Sequence, residues 1–233
     1  MLCSFDIDVV LAAVKTDGMA LFHASDELCG NREVGLAAVT QNGMALMFAL
    51  NIDRKVVLAA VQQDGLALRW ASEDMLGDPD LVLAAVKQNG EALQFASNDL
   101  KTDREVVLAA VRQDGNVLEY ASEELKNDKE VVLAAVKQDG LALEYASDEL
   151  KANCEVVLAA VKQDDVALQW ASETLNADRN MWLAILQTYG HLFYKVPNNL
   201  RNDKTLLLAA SRTDTEWLIH TVVPDVEGAN GNP

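Results

Sequence analysis

Apolar and polar positions repeat along this chain with a fixed phase. A block of consecutive apolar residues, V-V-L-A-A-V or a close variant, leads into a polar stretch that closes on Gly. The pattern x-A-L-x-aromatic-A-S-x-E-L follows, and an Asp or Asn then opens the next block. LAAV stands at 11–14, 36–39, 58–61, 83–86, 108–111, 133–136 and 158–161, with variants LAIL at 183–186 and LAAS at 208–211; the spacing is 25 residues except for one interval of 22. A short constant period predicts a stacked array in which each unit leans on its neighbours.

Numbering each of the nine copies from the first Leu of LAAV as zero turns the repeat into local structure. Position −5 is always Asp or Asn, residues whose side chains accept from orphan amides at a helix start. Acids at −3, such as Glu105 and Glu130, suit the positive end of the helix dipole. The apolar block wraps the whole helix circumference, as in an element sandwiched between neighbours. Gly at +7 in seven copies predicts a left-handed stop to this helix, with Asp165 in its place once. A second helix of about 11 residues then follows, with +10, +13 and +17 inward (Leu143, Ala146, Leu150) and +11, +15 and +16 outward (Glu144, Asp148, Glu149). The predicted fold is an all-α solenoid of nine tandem antiparallel helix pairs, each of about 25 residues, the last two degenerate. It forms one array over 1–223, with a disordered tail over 224–233.

Departures from the pattern carry expectations too. The short copy lacks three residues near Leu50–Asp53, where a change in curvature is expected. Pro197 falls inside the second helix of copy eight and should bend or end it. Thr213, Asp214 and Thr215 occupy the turn of copy nine, so the degraded end reads as a cap. The first copy begins with ordinary interior residues, which points to a longer array or to a stacking partner.

The phrases EVVLAAVKQDGLALEYASDELK (130–151) and DREVVLAAVRQDGNVLEYASEELKND (103–128) resemble the helical repeats of domain of unknown function 4116, best over 54–176. The resemblance implies a repeat module and transfers no activity, cofactor or catalytic residue.

Composition narrows the function classes. A net charge of −17 disfavours nucleic acid and anionic lipid and suits basic partners. No apolar run approaches the roughly 18–20 residues needed to span a bilayer. Cys3, Cys29 and Cys154 are few, odd in number and not at metal-ligand spacing, so an intracellular and cytoplasmic setting is expected, with Cys3 and Cys29 close enough in register to be neighbours.

Candidate chemistry is sparse. Adjacent acids such as Glu123–Glu124 and Asp148–Glu149 diverge on a helix and make a solvated edge, not an acid–base dyad. Ser at +14 in six copies reads as a small packing residue whose hydroxyl bonds back to its own helix. His23, His191 and His220 are too scattered for a shared metal. No catalytic residue, cofactor or metal is expected, and the chain is not expected to be an enzyme. What remains is a surface. Position +12 carries a column of rings (His23, Phe48, Trp70, Phe95, Tyr120, Tyr145, Trp170), and +8 and +11 vary beside it. The residues expected to meet a protein or peptide partner are Met19, Phe22, Met44, Met47, Arg69, Trp70, Glu119, Tyr120, Glu144, Tyr145 and Trp170, with the N-terminal end contributing most. The expected role is an interaction module or scaffold. The alternative is a structural unit that self-associates end to end or spaces a larger complex.

Overall fold

The computed structural model describes residues 6–50 and 53–214. Within them the chain is a helical solenoid. Nine long α-helices stack in sequence order: Ile7–Thr16, Arg32–Gln41, Arg54–Gln63, Pro79–Gln88, Arg104–Val111, Lys129–Gln138, Cys154–Gln163, Arg179–Leu186 and Lys204–Thr213. Each begins where expected. The −5 side chain accepts from the amide two residues on, and in seven copies from the next amide as well, as Asp128 does from Glu130 at 2.9 Å and Val131 at 3.1 Å.

The second half of each repeat differs from expectation. It is not one helix of about 11 residues but a six-residue 3-10 helix and a break, followed in five copies by a single α-turn, as in Gly140–Tyr145 and then Asp148–Lys151 of copy six. The break falls at Ala146, whose extended backbone ends the 3-10 helix. Ser147 next caps the α-turn by accepting from the Leu150 amide at 3.2 Å. Five of the six +14 serines accept in this way from the amide three residues on, Ser72 being the exception, and the reading that their hydroxyls bond back to their own helix is corrected. The inward and outward sets survive the change: Leu143, Ala146 and Leu150 are buried while Glu144, Asp148 and Glu149 are exposed.

The glycine reading also changes. The long helix ends at +5 in seven copies, and at +6 Asp or Asn takes an extended conformation and its side chain caps the 3-10 helix, as Asp139 does for the Leu141 amide at 2.9 Å. The +7 glycine is needed for close approach, not for a left-handed turn. A Cβ on Gly140 would stand 2.5 Å from the carbonyl oxygen of Ala160 in the next copy. Backbone cannot yield there as a flexible side chain could.

The core is a continuous strip. In copy six Val131, Val132, Ala135, Val136, Ala142 and Leu143 have no solvent exposure. Each fully buried Val or Leu contributes about 1.5–3 kcal/mol, and much of that burial comes from the adjacent copies. Among the described residues the short copy has no α-turn, while its long helix still packs between those of copies one and three. Residues 51–52 lie outside the described set, and the long-helix row runs on past them.

Candidate interaction face and repeat junctions

A 3-10 helix has about three residues per turn, so side chains at i and i+3 eclipse. Positions +8 and +11 therefore form one ridge on each unit: Met19 with Phe22, Met44 with Met47, Leu141 with Glu144. Position +12 lies beside that ridge at the end of the helix. Phe22 and Met47 are exposed, Met19 and Met44 half-buried. Rings touch at the N-terminal end, where Phe22 and Phe48 centroids are 5.1 Å apart and Phe22 meets His23 edge-on at 5.0 Å. Trp70 is 37% exposed; Phe95, Tyr120, Tyr145 and Trp170 are half-buried. Successive 3-10 helices pack on one another, so the structure brings the eleven expected contact residues onto one extended face without joining them in a pocket.

The electrostatics of that face are acidic. Burial first, then the carboxylates of Glu119 and Glu91, push the Tyr120 phenol up. Burial and the carboxylates of Glu119 and Glu144 do the same at Tyr145.

Other candidate groups are placed apart from one another. Among the described residues no three His, Cys, Asp or Glu side chains converge to hold a metal ion. Cys29 is buried and Cys154 half-buried, both as free thiols with ionisation pushed up mainly by burial. Cys3, His220, the tail and the turn expected to cap copy nine beyond Asp214 lie outside the described residues. The acidic edge of the α-turns is partly neutralised, as where Lys126 Nζ lies 3.0 Å from Glu123 Oε1.

Three columns that sequence reasoning passed over hold the copies together. Gln at +5 reaches back across the junction. Gln88 Oε1 accepts from the Gly65 amide at 2.5 Å, and Gln88 Nε2 donates to the Gln63 carbonyl at 3.3 Å. The basic residue at −4 reaches forward, and Arg54 donates to Asp78 at 2.7 Å and to Asp80 at 3.0 Å. Arg32–Asp53, Arg104–Asp128 and Arg179–Asp203 repeat this pairing. The arginines, with backbone amides, hold the carboxyls of Asp78, Asp128 and Asp203 below the usual carboxylate range, that of Asp203 down to about 2; at Asp53 the Val56 amide leads and Arg32 adds to it. The backbone forms a third tie, from the +14 amide to the +18 carbonyl of the previous copy, as in Ser147 to Lys126 at 3.0 Å. Recurrence was the available signal for the first two, since Gln stands at +5 in six copies.

The fold and this junction chemistry define a helical-repeat protein. The chain belongs to the family described as Domain of unknown function (DUF4116), whose model matches residues 6–52, 53–101, 103–151, 128–176 and 153–201. Each match spans two consecutive copies, and 128–151 falls in the second half of one match and the first half of the next. The family unit is thus a sliding pair of repeats, consistent with a single copy being unable to bury its own faces. Neither the curated proteins nor the solved structures provide a match. No helix among the described residues is long and apolar enough to cross a membrane.

Proposed function

We propose that this chain is a non-enzymatic interaction module that offers the 3-10 face to a protein or peptide partner. One observation carries the reading. Of the eight exposed large apolar side chains among the described residues, five (Phe22, Met47, Trp70, Val166 and Tyr194) lie in the 3-10 helices. Positions +9 and +10 of the 3-10 helices, such as Ala142 and Leu143, are buried with the long helices, so the +8 and +11 ridges can vary without disturbing the core. Ordered, part-apolar and free to change by column, such a face suits recognition.

The test is selection from a random peptide library on the immobilised chain, followed by hydrogen-exchange mapping of the complexes. Protection is expected along 18–23 and 43–48, with binding weakened in a Phe22→Ala, Met47→Ala double variant. Ligands that protect only the long helices, and that bind the double variant unchanged, refute the reading.

A second reading, end-to-end self-association, has its own support. Val9 and Ala13 in the first described helix are exposed, whereas their counterparts, such as Val56 and Ala60, are buried against a preceding copy. A mass by light scattering that stays monomeric at high concentration eliminates it.

A further inference from the structure

The rings of the 3-10 face are separated by slots, and one slot is filled from within the chain. Arg69, at +11 of copy three, holds its guanidinium carbon 5.1 Å from the ring centroid of Trp70 and 5.7 Å from that of Phe95 in the next copy. A +11 side chain thus lies between its own ring and the following one. Two copies on, that position is Glu119, and its charge acts on both flanking rings, Tyr120 of its own copy and Tyr145 of the next. Glu144 holds the same +11 position in copy six, where its charge acts on Tyr145, and Trp170 is the next ring in the column. Glu119 and Glu144 are exposed, and among the described residues neither joins an ion pair. The same geometry therefore occurs with the cation supplied at one end of the column and with an unpaired anion further along.

We infer that the two slots bounded by Tyr120, Tyr145 and Trp170 receive the cationic side chains of a basic, extended peptide, with Glu119 and Glu144 as counter-ions. This rests on the interaction reading above and names its ligand chemistry. The cation lies across two rings, as Arg69 does, and adds the ion pair that Arg69 lacks. Pitch sets the spacing. Neighbouring long helices pack about 8–10 Å apart, and a polyproline II chain advances about 3.1 Å per residue and returns to the same face every third residue. One cation in every third position therefore keeps step with the slots. The deficit of positive charge in the chain as a whole attracts such a peptide from a distance.

The experiment is fluorescence anisotropy with labelled peptides of Arg, Pro and Ser. One carries three arginines spaced three residues apart; a second has the same composition with the arginines contiguous. The spaced peptide is expected to bind about tenfold more tightly, because only it fills neighbouring slots together. Glu119→Gln should weaken it about two- to fivefold, the factor carried by an exposed charge contact. Glu119→Arg, which fills a slot from inside, should weaken it about tenfold or more. Tyr120→Leu with Tyr145→Leu should remove the preference for spacing, and circular dichroism checks that each variant keeps its helices. Equal binding of the two peptides, or an unchanged preference in the tyrosine double variant, overturns the inference by reducing it to bulk charge attraction. Uncharged or acidic winners of the library selection on this face also overturn it while leaving the interaction reading intact. A library that yields no ligand on this face removes both.

Discussion

The junction between copies six and seven and the junction between copies seven and eight use the same backbone plan with different side chains. At the former, Gly140 lies against the Ala160 carbonyl, Ser172 donates its amide to the Lys151 carbonyl at 3.0 Å, and Trp170 continues the ring column. At the latter all three positions are changed. Asp165 replaces the glycine, Pro197 replaces the serine and has no amide hydrogen to give, and Lys195 replaces the ring. Each loss is answered across the same junction. Lys195 Nζ donates to the Asp165 carboxylate and carbonyl, both at 3.0 Å, with His191 Nε2 3.7 Å from the other carboxylate oxygen. The Trp182 indole donates at 2.7 Å to the Asn176 carbonyl, which Pro197 cannot serve. The long helix facing Asp165 also ends two residues early, at Leu186. The helix ending at Val111 gives Gly90 the widest gap of its kind, 2.7 Å against 2.4–2.5 Å at the others. The changes in copy eight are a second set of junction chemistry, and its parts belong together.

Transplanting single parts between the junctions should therefore fail. Gly140→Asp places the copy-seven residue against an unshortened helix with no lysine opposite it. We expect a loss of about 3 kcal/mol, the upper range for forced overpacking, read from urea unfolding; an unchanged midpoint would show that the glycine is dispensable. Trp182→Phe keeps the buried ring but leaves the Asn176 carbonyl unserved, for a loss of about 1–2 kcal/mol, with Trp170→Phe as the control at a position where the structure shows no indole hydrogen bond. Lys195→Met removes the half-exposed pair with Asp165, and solvent screening holds the expected cost to about 1 kcal/mol or less. The combination Asp165→Gly with Lys195→Met should be milder than the sum of its parts, and strict additivity would deny the coupling.

The smallest effect is set by pH. The carboxyls of Asp53, Asp78, Asp128 and Asp203 titrate below their unfolded range when folded. Their contribution is therefore complete above the ordinary Asp pKa of about 3.9 and is lost as pH falls through the folded values, about 2 for Asp203. Helicity followed during acid titration should fall in that window, and Arg104→Gln should flatten the part owed to Asp128. A slope unaffected by any of the arginine substitutions would assign acid sensitivity elsewhere.

The solenoid and the long helices were legible because the signals for them recur in phase: the −5 caps, the apolar block and the inward positions all hold. The break at +13 was not, because x-A-L-x-aromatic-A-S-x-E-L has unbroken helical spacing and only the Asp/Asn at +6 and the Ser at +14 mark two separate starts. Glycine at +7 misled for a related reason. A sequence shows that a side chain is unwelcome, but not whether dihedral angle or a neighbour's carbonyl forbids it. The contact face was legible as a list of columns. That +8 and +11 share one ridge depends on the tighter helix, and that Arg69 fills a slot depends on which copies touch.

The ties between copies point in opposite directions along the chain: arginine side chains serve the helix start ahead, glutamines serve the glycine behind. The two sides of a junction tied in this way are accordingly unlike. Fragments made by cutting the array between copies would carry a donor side and an acceptor side, able to rejoin in one order and orientation only, and a fragment could not pair with itself about a two-fold axis through those surfaces.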